Sequence, residues 1–211
     1  MSSHHIVRDE QEPSLLIHKL NPGNWPVILE LLEWSPTVVV PEELLDEIIS
    51  KGHKVDIALV RDEHVEDFKV LLQSQNPIEI KPAVGDKLWP LVLATLSEKN
   101  HRAINVVTDN ASLFGVINQM IQWGNGFDVV IYTEDQKHIL SKRMLFKKWL
   151  PAFSQLAIVP LHDQTFASTY GFDLNLDNER MSDGLSLSKK LEGEVTIKMT
   201  KVPFLISETL C

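Results

Sequence analysis

The feature that most limits what this chain can fold into is an alternation of strand-like and helix-like segments, repeated five times before residue 134. Short apolar or β-branched runs (Leu15-Leu16-Ile17, Thr37 to Val40, Val55 to Val60, Pro77 to Ile80, Ala103 to Val107) are separated by longer stretches of helical period. Strands buried on both faces read as continuous apolar runs, and helices supply the crossovers between parallel neighbours. The pattern predicts an α/β fold over residues 1–134: an N-terminal, mainly parallel, Rossmann-like sheet with helices on both faces.

Local chemistry marks the segment boundaries. A helix over Pro22 to Trp34 places Ile28, Leu31 and Leu32 on one stripe. Pro41 stands at the favoured first-turn position of the next helix, and Glu42-Glu43 complement its dipole. Leu44, Leu45, Ile48 and Ile49 give that helix a buried face, and Gly52 ends it. Further helices are expected over Val65 to Gln73, Leu91 to Lys99 and Ser112 to Trp123, the last capped by Asp109 or Asn110. The turn Gly124-Asn125-Gly126 leads into a strand over Phe127 to Thr133.

Beyond Glu134-Asp135-Gln136, read as a solvated turn, the texture changes. Short strand-like runs follow at Leu156 to Pro160, Thr165 to Ser168, Phe172 to Leu176, Glu194 to Met199 and Phe204 to Ser207, with a helical turn near Lys147 to Trp149. Val195, Ile197 and Met199 alternate with Thr196, Lys198 and Thr200, the two-residue period of a half-buried strand. Residues 135–211 thus form a second, small domain, an antiparallel β-sandwich or barrel too small to be comfortable alone.

A net charge of −9 opposes a nucleic-acid partner, which needs a basic face, and disfavours anionic membranes, although one local positive patch would overrule it. Cys211 is the only cysteine, which excludes an internal disulfide and fits a reducing cytoplasm. No apolar run approaches the roughly 20 residues of a membrane span. Met1 to Asp9 reads as a solvated arm, too polar for a signal peptide, with His4-His5 within it. His18, His53, His101, His138 and His162 follow no metal-ligand or triad spacing.

Ligands of parallel sheets bind beyond the carboxyl ends of the strands. Those ends carry His18-Lys19, Glu42-Glu43, Arg61-Asp62-Glu63, Lys81 to Asp86 and Thr108-Asp109-Asn110, with no phosphate-cradling glycine loop. Glu42, Asp62, Glu63, Asp86 and Asp109 are read either as helix-start acids that satisfy amides and dipoles or as a residual metal cluster. Trp89 beside Pro90 is expected to pack or to close a pocket, and Leu113 and Phe114 to fill the cleft.

Several stretches resemble thiamin pyrophosphokinases, particularly bacterial ones: Leu31 to Val40, Lys54 to Leu59, Pro77 to Ile80 and Ala103 to Val107, then Leu156 to Leu161 and Gly193 to Ile197 in the second domain. The resemblance implies transfer of pyrophosphate from ATP to thiamin with Mg²⁺, giving AMP and thiamin diphosphate. It also implies a homodimer whose site lies between the α/β domain of one subunit and the sandwich of the other.

The catalytic motifs transfer poorly. Glu42-Glu43 stands where the family has Asp-Gly. Val60-Arg61-Asp62-Glu63 replaces Gly-Asp-Phe-Asp, so Arg61 displaces the first magnesium aspartate, Glu63 matches the second, and Asp62 is an extra acid. Asp86-Lys87 survives from Asp-Gln-Asp-x-Thr-Asp, followed by Leu88 and Trp89. The Arg-x-Asp-His motif is absent after the fifth strand, Asn118 falls near a family asparagine, and the Ser-Asn loop near thiamin shortens to Gly184 to Ser188. The resemblance leaves Asp62, Glu63 and Asp86 as metal candidates, and Arg61, Lys87, Asn118, Ser186 and Ser188 as candidate contacts to a nucleotide or thiamin. No catalytic residue is assigned. The leading expectation is a thiamin-pyrophosphokinase-like protein with impaired or lost catalysis and a binding or scaffold role. The alternative is an active thiamine diphosphokinase with a rebuilt Mg²⁺ site.

Overall fold

The computed structural model describes residues 12–75, 77–83 and 87–210. The arm with His4-His5, the Asp86 position and Cys211 lie outside the described residues. The chain divides into two compact units, Met1–Glu134 and Asp135–Cys211.

In the first unit the strands are β1 (Ser14–Ile17), β2 (Val38–Pro41), β3 (Ile57–Arg61), β4 (Glu79–Ala83), β5 (Ala103–Val107) and β6 (Asp128–Tyr132). The helices are α1 (Trp25–Leu32), α2 (Glu42–Ser50), α3 (Val65–Leu71), α4 (Leu88–Glu98) and α5 (Leu113–Trp123). The strands run in the order β6-β5-β1-β2-β3-β4, and every pair among them is parallel. Right-handed crossovers put α1, α2 and α3 on one face of the sheet and α4 and α5 on the other; α4 packs against α5. Leu15, Leu16, Ile17, Val39, Val40 and Ile104 are fully buried, which explains why the central strands read as unbroken apolar runs.

The helix ends follow the local chemistry. Pro41 ends β2 and serves as the N-cap residue of α2, whose first turn holds Glu42 and Glu43. Gly52 adopts φ +82, with its N–H on the Ile49 carbonyl and the His53 N–H on that of Ile48, a Schellman close to α2. Ahead of α5, the Ser112 N–H donates to Asp109 Oδ1 at 2.7 Å in the preceding turn; the N-cap residue of α5 is Ser112 rather than the expected Asp109 or Asn110, and its side chain makes no cap hydrogen bond.

The second unit is all-β: β7 (Gln136–Ser141), β8 (Leu145–Leu150), β9 (Ser154–Pro160), β10 (Thr165–Tyr170), β11 (Glu179–Met181), β12 (Leu185–Lys189), β13 (Gly193–Met199) and β14 (Phe204–Thr209). These pair antiparallel as β12-β9-β14-β7 and β11-β10-β13-β8. Leu156, Ile158, Val195, Ile197, Phe204 and Ile206 lie in the core that joins them.

Three local expectations are corrected here. Lys147 to Trp149 is not a helical turn but lies in β8, where Leu145, Lys147 and Trp149 face outward and Leu150 is buried. Phe172 to Leu176 is not a strand: Gly171 turns the chain at φ +84, and the Phe172 N–H is taken by Asn175 Oδ1 at 3.1 Å. Gly184 to Ser188 is not chiefly a loop, because Leu185–Lys189 forms an edge strand paired with β9.

Candidate active site

Strand order locates the switch point of the sheet. Chain direction across the sheet reverses between β1 and β5: β2, β3 and β4 follow β1 on one side, whereas β5 and β6 lie on the other. Such a switch point parts the connecting loops and is where open parallel sheets bind ligands. At the carboxyl end of this pair, the His18 and Lys19 N–H groups both donate to the Val107 carbonyl, at 2.9 and 3.2 Å. His18 Nδ1 lies 3.0 Å from Thr108 Oγ1, and its ring lies 5.0 Å from the ring of the buried Trp89. Burial, helped by the Lys19 cation, lowers the His18 pKa to about 4 against the opposing pull of Asp109 and Glu43. His18 is therefore a neutral imidazole near pH 7, able to donate or accept a hydrogen bond but too acidic as imidazolium to be a poised general base.

Amide groups line the same end. Asn24 is fully buried and donates from Nδ2 to the Thr108 carbonyl at 3.1 Å, while its Oδ1 has no partner among the described residues. Glu134 joins two loops, accepting from Asn21 Nδ2 at 3.1 Å and from the Asn110 N–H at 3.0 Å. Hydrogen bonds from Ser112 hold the Asp109 carboxyl below its ordinary value, so this acid is occupied in the turn ahead of α5.

The ends of β2 and β3 are organised by a single carboxylate. Glu42 accepts the Arg61 N–H at 2.8 Å, Arg61 Nε at 3.0 Å, Arg61 Nη2 at 2.6 Å and His64 Nδ1 at 2.7 Å. Desolvation pushes this carboxyl up, but the Arg61 and His64 hydrogen bonds outweigh it and hold the group at about 2. An ionised carboxylate offers about four acceptor sites, and here four donors approach it. Parallel β2–β3 pairing brings these residues together, setting Pro41 beside Leu59.

The other candidates are dispersed. Asp62 and Glu63 are exposed in a short 3-10 turn after β3, and Lys87 is exposed at the start of α4. Asn118 is exposed on α5. Ser186 and Ser188 lie on β12, where Ser188 Oγ donates to Asp173 Oδ2 at 3.1 Å beside a cavity of about 450 Å³ lined by Leu174, Met181 and Leu185. Among the described residues no three or more His, Cys, Asp or Glu side chains gather as a metal site; Asp86 lies outside them. Magnesium takes near-octahedral oxygen ligation from carboxylates, phosphates and water. With Glu42 and Asp109 engaged elsewhere, the described donors do not fit a resident Mg²⁺. Trp89 packs as expected, and Leu113 is buried, but Phe114 is 63% exposed and fills no cleft. A separate cavity of about 440 Å³, lined by Pro36, Thr37, His53 and Asp56, sits at the opposite, amino-terminal ends of β2 and β3. The switch-point rule therefore favours the carboxyl ends of β1 and β5 over it.

Sequence reasoning had both halves of the His18–Thr108 pair among the strand ends but not their adjacency, which requires β5 to return beside β1. The Glu42–Arg61–His64 group went unseen; the exchange of carboxylate for Arg61 was its only signal.

These features define a class: a doubly wound parallel α/β unit followed by an antiparallel β-sandwich. That fold is the one seen in thiamin pyrophosphokinases. The enzyme from Geobacillus thermodenitrificans superposes with a TM-score of 0.69 and 14% identity, over 93% of this chain and 96% of that one. Yeast thiamin pyrophosphokinase gives 0.72 and 12%, over 98% and 88%. A thiamin pyrophosphokinase family protein from Enterococcus faecalis gives 0.71 and 10%, over 94% and 99%. No family model and no curated protein matches the sequence. The resemblance read from the scaffold strands thus holds at the level of fold.

Proposed function

We propose that this chain is a thiamin-pyrophosphokinase-like binding protein in which magnesium-dependent pyrophosphoryl transfer is impaired or lost. The observation that carries this reading is the saturation of Glu42 by Arg61 and His64. Phosphoryl transfer rests on positioning and on neutralising charge with metal and basic groups. Here a strand-end acid is spent on an internal cation. The part-buried His18 at the switch point is a neutral hydrogen-bonding group, which suits a small polar ligand such as thiamin or a nucleotide. A homodimer and a cytoplasmic setting complete the proposal; the single cysteine fits a reducing compartment.

The rival reading is an active thiamine diphosphokinase that uses ATP and Mg²⁺. It draws on Asp62 and Glu63, which are exposed after β3 and not engaged as Glu42 is, together with Asp86, Arg61 and Lys87. Formation of thiamin diphosphate from thiamin, ATP and Mg²⁺, assayed beside a genuine thiamin pyrophosphokinase, separates the two. Loss of one charge-stabilising group costs about 10²–10³ in rate, so the expected rate lies at least that far below the reference. A comparable rate would overturn the proposal, and Glu63→Ala should then abolish activity.

A further inference from the structure

We infer that Asn125-Gly126, in the turn between α5 and β6, is a self-modification site: the asparagine side chain closes on the next backbone nitrogen and converts to aspartate and isoaspartate. It is the one Asn-Gly pair in the sequence. Gly124 to Phe127 form a turn in which the Phe127 N–H donates to the Gly124 carbonyl at 3.0 Å. Neither central residue has a positive φ, so the turn is of type I, with Asn125 and Gly126 at its tip. Both tip residues are exposed, and neither makes a hydrogen bond among the described residues. Ring closure needs the peptide between them to rotate. Nothing lies within 4 Å of the missing Cβ position of Gly126, and glycine gives the backbone that freedom.

The step needs only the chain and water. The Gly126 nitrogen gives up its proton and bonds to Asn125 Cγ, while the Cγ–Nδ2 bond breaks and ammonia leaves. Water then opens the cyclic imide, at Cγ to give aspartate or at the Asn125 backbone carbonyl to give isoaspartate. Nearby asparagines are held back. Asn105 sits inside β5, paired with strands on both sides. Asn118 lies within α5, where the next N–H is tied into the helix. Asn110 precedes alanine, whose Cβ crowds the attack. At Asp183-Gly184 the acid already accepts Ser182 Oγ at 3.0 Å and has no ammonia to lose. Conversion at Asn125 places a carboxylate directly after Gly124, the C-cap of α5, where the helix dipole disfavours it. No Asp, Glu, Lys, Arg or His otherwise occurs from Asn110 to Phe127. Isoaspartate also lengthens the main chain just ahead of β6, whose Asp128 N–H is bound to the Arg102 carbonyl at 2.8 Å.

Trypsin cuts after Arg102 and Lys137 and releases one peptide that holds Asn105, Asn110, Asn118 and Asn125, so the sites compete under identical conditions. The folded full-length chain is kept in warm, mildly alkaline buffer, sampled over days and mapped by fragmentation mass spectrometry. Isoaspartate is scored by enzymatic methylation of its carboxylate. Asn125 should be the first to show the mass gain of NH replaced by O, with isoaspartate among the products. Gly126→Ala should slow the conversion by at least about tenfold, a barrier higher by about 1.4 kcal/mol. Nothing crowds that Cβ position, so the far-ultraviolet circular dichroism of Gly126→Ala should be unchanged. Asn125→Gln should abolish the conversion. The urea-unfolded chain is the reference: conversion at Asn125 there but none in the folded chain would mean that the fold protects the turn, and overturns the inference. Conversion that begins at another asparagine, or that proceeds at Asn125 equally fast in Gly126→Ala, overturns it as well.

Discussion

His18 and Glu42 are both strand-end groups with displaced pKa values, and their contributions to stability appear in different pH windows. His18 titrates near 4 in the folded chain against 6.5 as a free side chain, mainly because burial penalises the imidazolium. The unfolded chain therefore binds the extra proton first. The stability that His18 contributes is complete above about pH 6.5 and is lost as pH falls toward 4, by on the order of 3 kcal/mol. Glu42 titrates at about 2 against 4.5. Its contribution is complete above about pH 4.5 and disappears as pH falls through about 2. Urea unfolding at a series of pH values separates the two. His18→Gln should flatten the loss of stability between neutral pH and about pH 4.5. Glu42→Gln should cost about 1–2 kcal/mol at neutral pH, the lower figure where solvent screens the exposed Arg61, and should match wild type once Glu42 is protonated. Parallel pH profiles for wild type and His18→Gln would mean that the imidazole is not held neutral.

At the scale of elements, legibility followed burial. The central strands of the first unit could be read because both their faces are apolar, and α2 because Pro41, its acidic first turn and Gly52 bracket it. Strands with one wet face were harder. In β8, Leu145 and Trp149 point outward while Lys148 turns inward to pair with Glu208, so hydrophobicity no longer marks the buried face. In β12, the alternation Leu185-Ser186-Leu187-Ser188 is a proper two-residue period, but analogy with a family loop hid it. The segment between β10 and β11 depends on one backbone position. Gly171 sits at φ +84, and a Cβ there would lie 2.4 Å from the Glu194 carbonyl oxygen. Both the left-handed backbone and this backbone contact oppose a side chain. Gly171→Ala should therefore destabilise the fold by at least about 2 kcal/mol, read as a lower urea midpoint. A midpoint unchanged within error would mean the chain can bypass that turn. The site was less legible than the fold for a related reason. Glu42, Arg61 and His64 come together only through β2–β3 adjacency, and His18 meets Thr108 only because β5 returns to the other side of β1.

For the whole molecule, the fold and the local chemistry of the strand ends point in different directions, and a ligand-linked shift in stability can weigh them without assuming turnover. Any species that binds only the folded chain stabilises it by RT ln(1 + [L]/Kd), which is about 2.7 kcal/mol at a hundredfold excess over Kd. For a chain of this size, that corresponds to a rise in Tm of roughly 5–10 °C. A resident Mg²⁺ site, or a nucleotide site completed by Mg²⁺, would have to yield such a rise at millimolar concentrations. Because Glu42 is engaged by four donors and no metal-binding group forms among the described residues, Mg²⁺ alone should leave Tm unchanged. Any shift produced by ATP or thiamin should be the same in Mg²⁺ and in EDTA. The Glu42→Gln protein extends the comparison: freeing Arg61 should strengthen binding of an anionic ligand such as ATP, and Mg²⁺ should still add nothing. A Tm that rises only when ATP and Mg²⁺ are present together, and falls back when Glu63 is replaced by Ala, would place a metal at the end of β3 and turn the argument toward the active enzyme.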